Sequence, residues 1–123
     1  MGLSIEIDVM KKNDKIYMGH DNPDLEVDIS EIDFDGVYIH MKSPHIIELK
    51  NADLFFIEND SYALTKKNKI WTNYYNKDYS QHSIMCSAEL IGKNFNIDEI
   101  FYWSKTAYGV CTDFPLTVYN NLK

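Results

Sequence analysis

Seven carboxylates crowd one short stretch of the chain: Asp21, Asp24, Glu26, Asp28, Glu31, Asp33 and Asp35. No lysine falls between Lys15 and Lys42. The full 123 residues carry 19 acids and 12 basic side chains, a formal charge of -7. The 12 acids outside the stretch balance those 12 bases, so the excess is entirely local. A one-signed field of this kind steers a basic partner and speeds its capture. Charges on an edge strand also block aggregation, which is the plainer reading. Cation binding is a third use. Asp33-Phe34-Asp35-Gly36 has the look of part of a calcium loop, but the twelfth position counted from Asp33 is Pro44, where an EF-hand needs glutamate. No metal ligands and no cofactor are assigned.

The four histidines, His20, His40, His45 and His82, are scattered, and no pair has the short helical spacing of a hydrolytic zinc site. His20, Asp21, His40 and His45 come together only if the fold assembles them. A metal-dependent enzyme built on those residues is an alternative. The chain shows no nucleophile elbow, phosphate-binding glycine loop or dinucleotide fingerprint. With five glycines there is little material for such loops. No catalytic residue is assigned, and the chain reads as a binding protein rather than an enzyme.

Between Lys66 and Tyr79 the chemistry reverses. Lys66, Lys67, Lys69 and Lys77 interleave with Trp71, Tyr74, Tyr75 and Tyr79. Lysines among stacking aromatics hold single-stranded nucleic acid without sequence preference. Exposed aromatics equally serve as protein hot spots, and a carbohydrate platform is a related alternative. The competing reading is a strand that buries Trp71 and alternate tyrosines, with the lysines in a turn. Arginine is absent from the whole chain. That removes the bidentate grip on phosphate and guanine, and makes nucleic acid the weaker partner.

These side chains need elements to hold them. Leu3, Ile5, Ile7 and Val9 alternate with Ser4, Glu6 and Asp8, the period of a half-buried strand. Lys11 to Lys15 reads as a turn and Ile16 to Met18 as the returning strand. Leu25, Val27 and Ile29 alternate with Asp24, Glu26 and Asp28, which places those three acids on one strand face. Val37 to Met41 is a further strand, and Leu54 to Ile57 is apolar enough to be a central one. A hairpin is expected around Lys66 to Lys69. Ile84 to Leu90 fits a strand or a helix. One good helix is predicted near residues 97–108, capped by Asn96, with Gly109 as terminator and an extended tail after Pro115. The fold class that follows is α+β, a mainly antiparallel sheet, with a sandwich as the alternative arrangement, and that single C-terminal helix.

The length suits one globular domain spanning 1–123, able to bury a core without metals or disulfides. Cys86 and Cys111 read as two thiols rather than a disulfide scaffold. No apolar run reaches the roughly 20 residues of a membrane span, and acids stand where a secretory signal would be basic and then apolar. The expected location is cytoplasmic, with no membrane partner.

In character the chain resembles the small, acidic immunity proteins of bacterial polymorphic and contact-dependent growth-inhibition toxins. The resemblance rests on Asp21, Asp24, Glu26, Asp28, Glu31, Asp33 and Asp35, with Trp71, Tyr74 and Tyr75 as possible anchors. It implies a cognate protein toxin domain as partner, a basic nuclease, neutralised through the acidic surface.

Overall fold

Asn13 and Asp14 both adopt positive φ, 52° and 62°. That conformation closes a two-residue turn between β1 (Ile5–Lys12) and β2 (Lys15–Met18) and matches the right-handed twist of the paired strands. The computed structural model describes residues 3–73 and 78–122. Within them the chain forms two compact units. One runs to Glu58 and takes in Thr65–Lys67; the other comprises Asn59–Leu64 and the chain from Asn68 onward.

The first unit is built on a five-stranded sheet. Its other strands are β3 (Leu25–Val27), β4 (Val37–Met41) and β5 (Asp53–Phe55), in the order β3-β2-β1-β4-β5. The pairs β1–β2 and β2–β3 are antiparallel, whereas β1–β4 and β4–β5 are parallel. Register aligns Ile7 with Ile39 and Val9 with Met41, and Ile39 with Leu54. These rows form one face, and Ile16, Ile32, Ile47, Leu49 and Ala52 join them in the core. Ile47 and Leu49 do this from irregular backbone, so the apolar run there is a core plug and not a strand.

The second unit holds β6 (Tyr62–Leu64), β7 (Ile70–Thr72), β8 (Ser83–Cys86) and β9 (Gly109–Cys111) in that order. The β6–β7 pair is antiparallel; β7–β8 and β8–β9 are parallel. Every residue of β8 is buried, as befits an inner strand of a parallel array. A 3₁₀ turn at Ala88–Ile91 follows it, so the strand-or-helix ambiguity there resolves into one of each. Helix α1 (Ile97–Thr106) is capped by Asn96, whose side chain accepts from the Glu99 amide at 3.2 Å.

Two expectations about fold class are overturned. The sheets are mixed, not mainly antiparallel: among the described residues four strand pairings are parallel and three antiparallel. Alternation along one strand carries no information about the direction of its neighbour. There is also a second helix, α2 (Pro115–Leu122). Pro115 starts that helix instead of extending the tail. At the first helical position its missing N–H removes nothing, and its fixed φ is already helical.

The strand expected through Ile29 stops at Val27. Asp28 caps a 3₁₀ turn at Ile29–Glu31: its carboxylate accepts from the Ser30 amide at 2.9 Å, and Glu31 accepts from the Asp28 amide at 3.2 Å. Aspartate's preference for capping defeats the alternation at that point.

Gly19 ends β2 where the chain turns sharply. A Cβ there would lie 1.8 Å from the Asn22 carbonyl oxygen, a backbone atom that cannot step aside cheaply. Gly19→Ala should therefore destabilise the protein by about 1–3 kcal/mol, the range for overpacking that forces backbone shifts. Denaturant melts of the two proteins would check this, and unchanged midpoints would show that the turn relaxes freely. In the second unit Cys86 and Cys111 are register partners on adjacent strands. Strands lie about 4.8 Å apart, within the Cα separation a disulfide spans. A thiol oxidant should join the two within one chain, and Cys111→Ser should prevent it; mass spectrometry reads the loss of hydrogen.

Candidate functional site

The face of the first sheet opposite the core carries a polar cluster. Alternation puts Glu6 and Asp8 on that face of β1. The parallel register sets Glu6 beside Tyr38 and Asp8 beside His40, and β5 continues the two rows with Asp53 and Phe55. Glu6, Asp8 and His40 are half-buried, and their nitrogen and oxygen ligand atoms all lie within 4.8 Å of one another. Among the described residues this is the group of such side chains that meets.

Both ring nitrogens of His40 are engaged. Nε2 lies 3.1 Å from the Ile57 carbonyl oxygen, and Nδ1 lies 3.0 Å from Asp8 Oδ1. A carbonyl only accepts, so Nε2 is the donor there. Nδ1 is left facing the Asp8 carboxylate. The ring stacks on Phe55, centroids 4.9 Å apart and planes 10° off parallel. Its orientation is thus held by two hydrogen bonds and one flat contact.

The two carboxyls respond oppositely to this setting. Burial pushes Glu6 up to about 7, and the neighbouring Asp8 charge and a hydrogen bond with Asp8 add to the rise. Burial acts on Asp8 in the same direction, but the His40 hydrogen bond and charge, with help from Glu6 and Lys42, hold it below its ordinary range. The two shifts oppose each other, so the pair favours a proton on Glu6 facing an ionised Asp8. One Glu6 oxygen, Oε1, is buried with no hydrogen-bond partner.

Sequence reasoning passed over Glu6 and Asp8, treating them as the wet face of a strand. The available signal was their i, i+2 spacing, repeated by Tyr38 and His40. The alternative grouping of His20, Asp21, His40 and His45 is not formed among the described residues. His20 Nδ1 lies 3.0 Å from its exposed neighbour Asp21, and His45 bonds the Ser43 hydroxyl oxygen at 3.1 Å. His40 has Glu6 and Asp8 as companions instead.

The acidic stretch turns out to be divided in its roles. Asp28 and Glu31 form the capping box already described. Asp33 accepts from the Lys50, Asn51 and Ala52 amides, each at 2.8 Å, and these three bonds hold its carboxyl below the usual range. Glu26 faces Lys15 at 3.7 Å and Asp35 faces Lys67 at 3.6 Å, both in exposed ion pairs, which contribute little to stability. Asp21 and Asp24 point into solvent. The expectation that Asp24, Glu26 and Asp28 share one strand face fails, because Asp28 lies past the end of β3. Two large apolar side chains inside the stretch are also exposed: Leu25 at 59% and Phe34 at 57%.

Among the described residues of the basic, aromatic segment, the side chains are engaged in separate local contacts. Trp71 is only 6% exposed and belongs to a core. Lys66 Nζ donates to the Leu49 carbonyl at 2.7 Å, Lys67 Nζ donates to the Asn51 carbonyl, and Lys69 Nζ sits 4.2 Å above the Tyr108 ring. Tyr74 and Tyr75 lie outside the described residues. No helix of the described chain is long and apolar enough to cross a membrane. No family model, curated protein or solved structure matches the chain.

A pH dependence follows from Glu6. Its folded pKa is raised from 4.5 to about 7, so between those values the folded state holds a proton that the unfolded state has lost. Stability must then fall as pH rises through this window. Glu6→Gln mimics the protonated acid. In chelator-treated buffer the variant should match the parent near pH 4 and exceed it in melting temperature at pH 8. A difference that stays constant across the range would show that Glu6 titrates normally.

Proposed function

We propose that this protein is an inhibitor of the immunity type, binding and neutralising a basic protein toxin domain through the surface around residues 21–35. The observation that carries the reading is the exposure of Leu25 and Phe34 among the acids. A strand edge kept in water for solubility gains nothing from two large exposed apolar side chains. An interface does: apolar anchors slow release, and a charged rim guides encounter. Ile5, whose amide donates to the Gly36 carbonyl at 2.9 Å just past the end of the stretch, is a further exposed apolar side chain. A nuclease needs a basic groove to attract polyanions, and that is the groove an acidic, apolar-studded surface would fill.

The division of roles among the acids sharpens the choice of variants. Asp28 and Asp33 bond backbone amides, so changing them would disturb the fold. Asp21 and Asp24 are the residues to reverse. Co-expression with the product of the neighbouring gene should yield a complex and protect cells from that product. Asp21→Lys with Asp24→Lys should lower the association rate at low salt by roughly tenfold or more and flatten its salt dependence. Phe34→Ser should act mainly on dissociation. Absence of both complex and protection would remove the proposal.

A further inference from the structure

The geometry points to a divalent transition-metal site in which Glu6, Asp8 and His40 supply three ligands to a single ion. The cluster lies outside the acidic stretch and is independent of the reading given for it.

Four features of the cluster are those of a ligand set. The first is spacing. Ligand atoms held about 2.0–2.2 Å from an ion, at angles between octahedral and tetrahedral, stand roughly 3.0–3.5 Å from each other. His40 Nδ1 and Asp8 Oδ1 are 3.0 Å apart, and all three residues offer atoms within 4.8 Å. The second is the outer partner of the histidine. Ligating imidazoles donate their other N–H to a carbonyl or carboxylate, which fixes tautomer and ring angle. Nε2 of His40 makes that bond to Ile57, leaving Nδ1 directed at Asp8. Phe55 holds the ring plane from one side. The third is Glu6 Oε1, a buried carboxyl oxygen with nothing to bond; an unsatisfied buried acceptor of this kind calls for an explanation, and an ion supplies one. The fourth is access. The Asp8 and His40 side chains are 20% and 16% exposed, so an ion can enter and keep water in its remaining positions.

The donor set selects the class of ion. Two carboxylates with one imidazole suit Mn²⁺ or Zn²⁺, while magnesium and calcium take oxygen-only sites. Bound there, the ion offsets the repulsion between the Glu6 and Asp8 carboxylates and gives Glu6 Oε1 a partner.

The test uses the full chain, stripped with chelator and then titrated with Zn²⁺ and separately with Mn²⁺. One ion should bind per chain, and the melting temperature should climb with ion concentration. In imidazole NMR spectra with Zn²⁺, the His40 signals should move while those of His20, His45 and His82 stay in place. Glu6→Gln and Asp8→Asn should each weaken binding by more than the roughly 10–100-fold that loss of an outer partner costs; Asp21→Asn should leave it unchanged. Three results would overturn the site: no saturable binding of either ion, unmoved His40 signals at saturation, or equal losses in Asp21→Asn and Glu6→Gln. The NMR readout is made on the unaltered chain, so it decides the matter even if a variant folds poorly.

Discussion

The parallel pairing of β1 with β4 is the contact on which the first unit depends. Side chains alternate along a strand, so the register that sets Ile7 beside Ile39 and Val9 beside Met41 also fixes what lies on the reverse face. A slip of one residue would carry Val9 and Ile39, both fully buried, out to the polar side. Each such side chain contributes about 1.5–3 kcal/mol by burial. The same slip would push Glu6 and Asp8 into the apolar core, where unpaired carboxylates are still more costly. Apolar rows therefore hold the register, and the meeting of Asp8 with His40 follows from it. The cluster needs no specific attraction of its own to form.

That dependence explains an otherwise awkward arrangement. Two carboxyls at i, i+2 on one strand face repel each other, and half-burial makes the repulsion stronger. The fold accommodates them with the His40 ring set between Asp8 and the Ile57 carbonyl, and with a Glu6 carboxyl whose pKa is raised to about 7. Buried acids elsewhere in the same unit are handled by ordinary hydrogen bonding. Asp53 accepts from the Leu54 and Lys67 amides and from the Thr65 hydroxyl at 2.6 Å, which ties Thr65–Lys67 to β5. In the second unit, Glu89 takes bonds from the Ser87 and Thr112 hydroxyls and from the Asp113 amide, joining the turn after β8 to the chain leaving β9. Those two carboxylates have their donors supplied by nearby chain. Glu6 Oε1 does not, and this contrast singles out the β1–β4 cluster.

The acidic stretch shows how one compositional signal separates into several physical tasks. Capping, backbone anchoring and ion pairing account for Asp28, Glu31, Asp33, Glu26 and Asp35. Local charge density is therefore partly a consequence of turn building, since aspartate and glutamate are the side chains that accept from exposed amides. Asp21 meets only its exposed neighbour His20, and Asp24 and the exposed Leu25 and Phe34 have no such task in the described contacts. For Leu25 and Phe34, unlike the carboxylates, water is an unfavourable neighbour.

Much was already decided in the sequence by short-range physics. The β1–β2 turn, the strand at Val37–Met41 and the Asn96 cap of α1 each rest on residues a few positions apart, and each was legible. So was the confinement of excess charge to residues 21–35, which is a matter of counting. Pairing direction was not legible, because a strand reads the same whether its neighbour runs with it or against it. That is why a mainly antiparallel sheet was expected and a mixed one is found. Nor could a strand's pattern show that Trp71 would be core while Leu25 would be exposed, since burial depends on what lies across the sheet. The Glu6–Asp8–His40 cluster belongs wholly to this second kind of information. Its members are 32 residues apart at the β1–β4 crossing, Asp8 to His40, and only the tertiary register brings them together.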